Sequence, residues 1–126
     1  MNLEVDLDFA LDIFYDDGDM EMTKVLIKVG GDVHIYDDIL LYWATTNGET
    51  EMVKFLLDHD ANVHANHDDS LVEACFCGYT EIAELLLKSG AYAHARDGKA
   101  LHYAITGGHK SLVKLLKEHI RNESGN

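Results

Sequence analysis

The chain has 126 residues, 47% of them hydrophobic, which suits a single folded domain with an apolar core. Its formal net charge is −13, and an acidic surface repels nucleic-acid phosphates, so we expect no nucleic-acid partner. No stretch of 18 apolar residues occurs, and no basic region precedes an apolar one in MNLEVDLDFALD. We therefore expect a soluble chain with neither a membrane span nor a signal peptide, and no membrane partner.

The first predicted elements are a short polar segment, LEVDLD, and a helix from about Phe9 to Tyr15. The same succession returns at a constant interval along the chain. The recurring residues are histidine at 34, 64 and 94, glycine at 18, 48, 78 and 108, and leucine at 11, 41, 71 and 101 and again at 26, 56, 86 and 116. A fixed period of this kind is typical of repeat proteins. The sequence predicts one domain over residues 1–126, with units at approximately 1–30, 31–60, 61–90 and 91–120 and a frayed tail at 121–126.

Each unit is predicted to form two short helices. The first helices, LLYWATTNG, LVEACFCGY and LHYAITGGH, place apolar residues on one face and stop at glycine. The second helices, as in TEMVKFLLDH and TEIAELLLKS, have Thr50 and Thr80 as expected N-caps, and a polar finger that contains the histidine follows. Helices this short cannot bury their own apolar faces, so the units must stack. The expected fold is an all-α solenoid of helix-turn-helix units with short finger loops.

The last unit carries the clearest resemblance to a known family. The segment SGAYAHARDGKALHYAITGGHKSLVKLLKEH resembles an ankyrin repeat, whose pattern runs roughly G-x-T-P-L-H-x-A-A-x-x-G-H-x-x-x-V-x-x-L-L-x-x-G-A, and it is matched by Leu101, His102, Ala104, Gly108 and His109. The chain departs from the family because it has no proline, and its repeat unit is shorter than the usual ankyrin unit. Short repeats with V-H where the family has V-N resemble those abundant in large DNA viruses.

The resemblance implies a non-enzymatic protein-protein interaction module that binds through the fingers and the inner, first helix of each unit. On the fingers, the expected partner-binding residues are Tyr36, Asp37, Asn66, His67 and Arg96. On the inner helices they are Trp43, Phe76 and Tyr103. Tryptophan and tyrosine are common interface anchors. The alternative, equally open from the sequence, is that Trp43 and Tyr103 only pack against neighbouring units. Trp43, Glu73 and Tyr103 share one register, and a register that accepts these three side chains is not expected to be fully buried.

The distribution of charge points to the kind of partner. Residues 1–30 and 31–60 each carry a formal charge of −6, residues 61–90 carry −4, and residues 91–126 carry +3. Acidic groups around aromatic anchors suit a protein partner with a basic patch. The chain itself is expected to be a monomer. Lys117 stands where earlier units have Ile27, Leu57 and Leu87, so it is expected to give the last unit a polar outer face.

The recurring histidines leave other interpretations open, including a metal- or pH-responsive protein. Residues that repeat once per stacked unit lie about 8 to 10 Å apart, whereas zinc needs ligand nitrogens at about 2 Å. We therefore expect structural histidines and no metal site. Cys75 is expected to be a buried filler and Cys77 to be more exposed, and with no catalytic or phosphate-loop signature we expect neither an enzyme nor a cofactor. A scaffolding or recruiting fragment of a larger assembly is a further alternative.

The cysteines also bear on location. Cys75 and Cys77 lie two residues apart on a predicted helix, an arrangement that disfavours a structural disulfide and is compatible with a reducing compartment. We expect the cytoplasm or nucleus, of a host cell if the viral resemblance holds.

Overall fold

Over residues 6–124, the part of the chain that the computed structural model describes, the protein forms eight helices and no strand. The helices are α1 (Leu7–Asp16), α2 (Met20–Lys28), α3 (Ile35–Thr46), α4 (Thr50–Asp58), α5 (Ala65–Cys77), α6 (Thr80–Lys88), α7 (Ala95–Thr106) and α8 (Lys110–Glu123). They pair along the chain as α1 with α2, α3 with α4, α5 with α6 and α7 with α8. This all-helical arrangement confirms the predicted class, and the first half of the segment LEVDLD, residues 3–5, lies outside the described residues.

The pairs pack into a stack with an inner and an outer row. Helix α5 packs between α3 and α7 in the inner row, and α6 packs between α4 and α8 in the outer row. The three later units add the same small and large residues to the core. Those with no exposed surface include Ala44, Ala74 and Ala104 on the inner helices and Leu56, Leu86 and Leu116 on the outer helices. Alanine lets neighbouring inner helices approach closely, and leucine fills the space between the two rows.

Each of the three later fingers contains a left-handed turn. The fingers are defined here as finger 2 (residues 34–38), finger 3 (residues 64–68) and finger 4 (residues 94–98). Their last three residues have φ between 50° and 80° and ψ between 20° and 54°. The turn is closed by an amide that donates to the carbonyl of the histidine four residues earlier, at 3.2 Å from Asp38 to His34 and 3.1 Å from Gly98 to His94. The regular right-handed inner helix begins only after this turn.

The left-handed turn was not predicted from the sequence. Left-handed backbone costs an L-residue roughly 1 to 2 kcal/mol and is visited mostly by Gly, Asn and Asp. Asn66 and Asp68 fit that preference, whereas Tyr36 and Arg96 do not. The surrounding structure must therefore stabilise the fingers in this conformation.

The glycine between the two helices of a unit makes room for the next unit. Gly78 has φ +75°, and a Cβ at this position would overlap the imidazole ring of His109. The ring of Tyr79 lies in the same way against Gly48, about 3.1 Å from the place where a Cβ would stand. At Gly48 and Gly78 the recurring glycine therefore serves both the turn and the contact between units, whereas at Gly18 and Gly108 it serves the turn alone.

Two details of the helix ends differ from the predictions. Thr50 and Thr80 are the first residues of α4 and α6 rather than their N-caps; the cap positions are Glu49 and Tyr79, and neither makes a side-chain cap hydrogen bond. Side-chain caps are found earlier, where Asp6 and Asp19 accept hydrogen bonds from amides of α1 and α2.

The C-terminal segment also differs from the prediction. The expected frayed tail is helical through residues 121–123, because α8 continues for 14 residues instead of ending after nine as α2, α4 and α6 do. Lys117 on α8 is exposed, as the expected polar outer face requires. In the described residues, no helix is long and apolar enough to cross a membrane.

Candidate protein-binding surface

A histidine and a carboxylate meet at the base of each finger, and in fingers 2 and 3 the carboxylate also joins two neighbouring units. In finger 2, His34 Nδ1 lies 3.0 Å from both carboxylate oxygens of Asp38, so the ring nitrogen donates to the carboxylate. Asp38 Oδ2 also accepts from the backbone amide of Asn62 in the next unit, at 2.7 Å. Only 6% of the Asp38 side chain is exposed. One buried carboxylate thus holds the finger and ties two units together, and we call this arrangement an interunit joint.

Finger 3 repeats the interunit joint with the same geometry. His64 Nδ1 donates to Asp68 at 3.0 Å, and Asp68 Oδ2 accepts from the amide of Tyr92 at 2.8 Å. The ring of His64 stacks on the ring of Tyr92, with centroids 4.3 Å apart. Asp8 makes the corresponding bond to the amide of Asp32 at 3.0 Å. The structural role expected for His34 and His64 is therefore a hydrogen bond to a carboxylate.

Finger 4 has glycine where the other fingers have aspartate, and its joint is built differently. Glu123, near the end of α8, takes a hydrogen bond from His94 Nδ1 and accepts from the amide of Ala93 at 2.7 Å. Partial burial acts to raise the pKa of Glu123, but the bonds from Ala93 and His94 and the charge of His94 outweigh it and lower the pKa. The extension of α8 thus supplies the carboxylate that Gly98 lacks.

Most predicted finger residues point into solvent. Tyr36 is 61% exposed, and Asp37, Asn66 and His67 are also exposed. Interaction of the Tyr36 hydroxyl with Asp12, through hydrogen bonding and charge, raises the pKa of Tyr36, with a smaller contribution from Asp16. The tip of finger 2 therefore presents an aromatic ring beside carboxylates.

Among the finger residues predicted to bind a partner, Arg96 differs because its side chain makes hydrogen bonds to another finger. Its Nη2 donates to the carbonyl oxygen of Asn66 at 2.8 Å, and its Nε donates to that of His67 at 3.4 Å. The same Nη2 lies 3.7 Å from Asp69. Arg96 thus clamps finger 4 onto the left-handed turn of finger 3, and about one third of its side chain remains exposed.

The inner helices carry two aromatic pairs, each between neighbouring units. Trp43 packs edge-to-face against Tyr15 with ring centroids 5.1 Å apart, and Tyr103 packs in the same way against Phe76 at 5.1 Å. Phe76 is 59% exposed, whereas Trp43 and Tyr103 are half-buried. Glu73, in the same register as the latter two, is also half-buried, which confirms that this register is not a core position.

A cleft of about 380 Å³ separates finger 2 from finger 3. It is lined by Asp37, Asp38, Asn62, His64, Ala65, Asn66 and His67. Asp38 and His64 are already engaged in interunit joints, so Asp37 and the two exposed side chains of finger 3 remain available to a ligand. The structure brings together three of the predicted site residues here: Asp37, Asn66 and His67.

The two cysteines differ as expected. Cys75 is fully buried, and burial raises the pKa of its thiol to about 12, so it is an inert filler. Cys77 is exposed, and its pKa is raised by partial burial and by Glu73. Neither thiol has the lowered pKa of an activated nucleophile. Within the described residues there is no group of three or more His, Cys, Asp or Glu side chains that could hold a metal ion.

Sequence reasoning missed several residues that shape this surface. Asp38 and Asp68 were not predicted, although Asp8 recurs with them at the repeat interval and offered a signal. Glu123 lies outside the regular pattern, so the period could not reveal it. Tyr15 was also missed, because its register holds threonine, cysteine and isoleucine in the other units.

Comparison of the sequence with known protein families agrees with the stacked architecture. The family model described as ankyrin repeats (3 copies) matches residues 11–97, which is more than half of the chain. A search of the curated proteins finds no matching relative. Ankyrin repeats are generally non-enzymatic modules that bind other proteins. With paired short helices, a repeat unit of constant length and a family match over most of its length, this chain belongs to the ankyrin-repeat family.

Proposed function

We propose that the chain is a non-enzymatic, monomeric module that binds a basic protein through its fingers and inner helices. The observation that carries this proposal is the combination of exposed aromatic rings and carboxylates on one set of rigid elements. Tyr36 and Phe76 are each about 60% exposed, and the first three units carry formal charges of −6, −6 and −4. Aromatic anchors supply binding energy, while surrounding charge favours an oppositely charged partner and speeds its association.

The fingers support the proposal through their rigidity. A left-handed turn in three consecutive residues is unfavourable unless other contacts hold it. Interunit joints hold fingers 2 and 3, and the contact between His94 and Glu123 holds finger 4. The backbone that carries the exposed side chains is thus held in place by contacts within the chain. A preorganised surface loses less conformational entropy on binding than a mobile loop does.

The acidity of the surface argues for a protein partner rather than nucleic acid or an anionic membrane, because phosphate groups would be repelled. The short repeat unit with V-H in the finger supports a further part of the proposal, a role in the cytoplasm or nucleus of a cell infected by a large DNA virus.

The experiment is a selection of binding peptides from a random display library on the immobilised protein. We expect enriched sequences with lysine or arginine next to apolar residues. Their affinity should fall about tenfold or more for Tyr36→Ala and Phe76→Ala, the scale of a modest anchor. Val29→Ala is the matched control, since Val29 is 62% exposed but caps the outer helix α2 and lies on neither a finger nor an inner helix.

Trp43, which is half-buried, allows the same surface to be tested through the dissociation rate of a bound peptide. Trp43→Ala should raise the dissociation rate of a selected peptide and weaken binding by about 2 kcal/mol or more, while circular dichroism shows that the helices remain. Raising the salt concentration should slow association, because screening weakens charge steering. Enriched peptides that are acidic, or that bind Tyr36→Ala and Phe76→Ala as tightly as the original chain, would contradict the proposal.

A further inference from the structure

The chain contains an internal example of how a finger binds a guanidinium group. Arg96 of finger 4 crosses to finger 3, where it reaches the carbonyl oxygens of the first two residues of the left-handed turn, Asn66 and His67. Arginine suits this position because its planar group presents several N–H donors in a fixed geometry.

The same backbone surface exists one unit earlier. The turn of finger 2 has φ, ψ values of 50°, 54° at Tyr36 and 54°, 47° at Asp37, and the turn of finger 3 has 53°, 47° at Asn66 and 59°, 45° at His67. Because the dihedral angles agree closely, the carbonyl oxygens of Tyr36 and Asp37 have nearly the same relative orientation as those that Arg96 contacts. Both turns therefore offer acceptors arranged for the same group.

What differs is the residue that faces each turn from the next unit. The counterpart of Arg96 in finger 3 is Asn66, which is too short to reach across and makes no side-chain hydrogen bond to finger 2 in the described structure. Asn66 instead lines the cleft of about 380 Å³ between fingers 2 and 3, with Asp37 of finger 2 on the opposite finger. The acid contacted by Arg96, Asp69, is replaced by Ile39 at finger 2, but the carboxylate of Asp37 lines the cleft instead.

We propose that the cleft between fingers 2 and 3 binds an arginine side chain of the partner, in the way that Arg96 binds finger 3. This inference rests on the proposed function and names the side chain that the surface selects. The guanidinium donates to the carbonyl oxygens of Tyr36 and Asp37 and pairs with the carboxylate of Asp37. Lysine binds less well, because an ammonium group cannot present a planar set of donors to several acceptors at once.

The test is an NMR titration in which N-acetyl-arginine amide is added as the probe to the isotope-labelled protein. The chemical shifts of the backbone amides are measured at each step. We expect saturable shifts at residues 36–38 and 66–67, with half-saturation in roughly the millimolar range for a ligand of this size. N-acetyl-citrulline amide, which has nearly the same shape without the charge, should give no saturable shift at those residues. The lysine analogue should bind more weakly than the arginine one.

The matched variants are Asn66→Arg and Asn66→Met. Asn66→Arg should place a guanidinium of the chain itself in the cleft, as Arg96 does one unit later, and abolish the shifts caused by the probe. Asn66→Met adds a long side chain to the same left-handed residue without the charge, and it should leave a measurable response to arginine. The left-handed conformation of Arg96 shows that arginine is accommodated at this position.

The outcomes separate this inference from the proposed function. Absence of a localised response to arginine, an equal response to citrulline, or an unchanged response in Asn66→Arg would overturn the arginine cleft. If selected basic peptides still bound the fingers and lost affinity with Tyr36→Ala but not with Asn66→Arg, the proposed function would stand and the arginine cleft would fall.

Discussion

The interunit joints of fingers 2 and 3 differ from the joint of finger 4 in the origin of their carboxylate. Asp38 and Asp68 belong to their own fingers and are almost fully buried, with 6% and 4% of their side chains exposed. Glu123 comes from α8, and 20% of its side chain is exposed. Finger 4 has Gly98 at the equivalent place. Each joint thus contains a carboxylate, and at finger 4 that carboxylate comes from outside the repeated pattern.

A substitution in the hydrophobic core should lower the free energy of unfolding more than the loss of any one joint. Leu56 is fully buried in the middle of the stack, so Leu56→Ala should lower the free energy of unfolding by about 2 to 5 kcal/mol. Each unit is stabilised by its neighbours, so Leu56→Ala should also destabilise the joints of fingers 2 and 3 and the joint of finger 4. Urea unfolding followed by circular dichroism measures the loss, and an unchanged midpoint would show that the register of the core is wrong.

Removing the buried carboxylate of an internal joint should have the next largest effect. Asp38→Gly keeps the freedom to adopt φ > 0 and takes away only the partner of His34 and of the Asn62 amide, so we expect a loss of about 2 kcal/mol. Asp37→Gly is the control, since Asp37 has the same left-handed backbone but an exposed side chain. Its effect should stay within about 0.5 kcal/mol. Equal losses in the two variants would mean that the joint does not stabilise the stack.

The joint of finger 4 should be easier to break and possible to rebuild. Glu123→Gln removes a partly exposed carboxylate and should cost about 1 kcal/mol in the same unfolding experiment. Adding Gly98→Asp to that variant should recover part of the loss, because His94 regains a carboxylate four residues later, as in His34 and Asp38. Gly98→Asp alone should change little. A double variant that is no more stable than Glu123→Gln would argue against equivalence of the two joints.

The smallest expected effect is a dependence of the finger 4 joint on pH. The pKa of Glu123 is lowered from its ordinary value of 4.5, so the folded state favours the ionised form. The stabilisation that ionised Glu123 contributes is therefore complete above pH 4.5, and it is lost as the pH falls through the lower pKa of Glu123 in the folded state. The difference in stability between the original chain and Glu123→Gln should shrink as the pH falls below about 4.5. A difference that stays constant over that range would contradict the role given to its charge.

The repeated part of the molecule was the easier part to predict. The constant period places glycine, alanine and leucine at the same points of each unit, and periodic apolar residues are the strongest signal of helices that pack on neighbours. The core positions of Ala74 and Leu86 follow directly from this pattern. Lys117 breaks it, which is why an exposed last unit was also predictable.

The left-handed turns and the extension of α8 depend on contacts between distant residues, which a local sequence pattern does not contain. Nothing in the preferences of Tyr36 or Arg96 indicates a left-handed turn, because tertiary contacts impose it. The sequence predicts a frayed tail at residues 121–126, whereas residues 121–123 are helical. The amides of Ala93 and His94 that donate to Glu123 lie 30 and 29 residues earlier in the chain, so no local pattern reveals these bonds. The binding role of the fingers and inner helices came from family resemblance and remains a prediction.

NMR shift mapping with a selected peptide tests directly whether the fingers and inner helices form the binding surface. The amide signals of the isotope-labelled protein are followed while a peptide chosen from the display library is added. We expect the changes to centre on finger residues 36–37, 66–67 and 96 and on inner-helix residues 43, 76 and 103. Changes centred instead on Lys110, Lys114 and Lys117 of α8 would place the binding surface at the basic end of the stack and contradict the account.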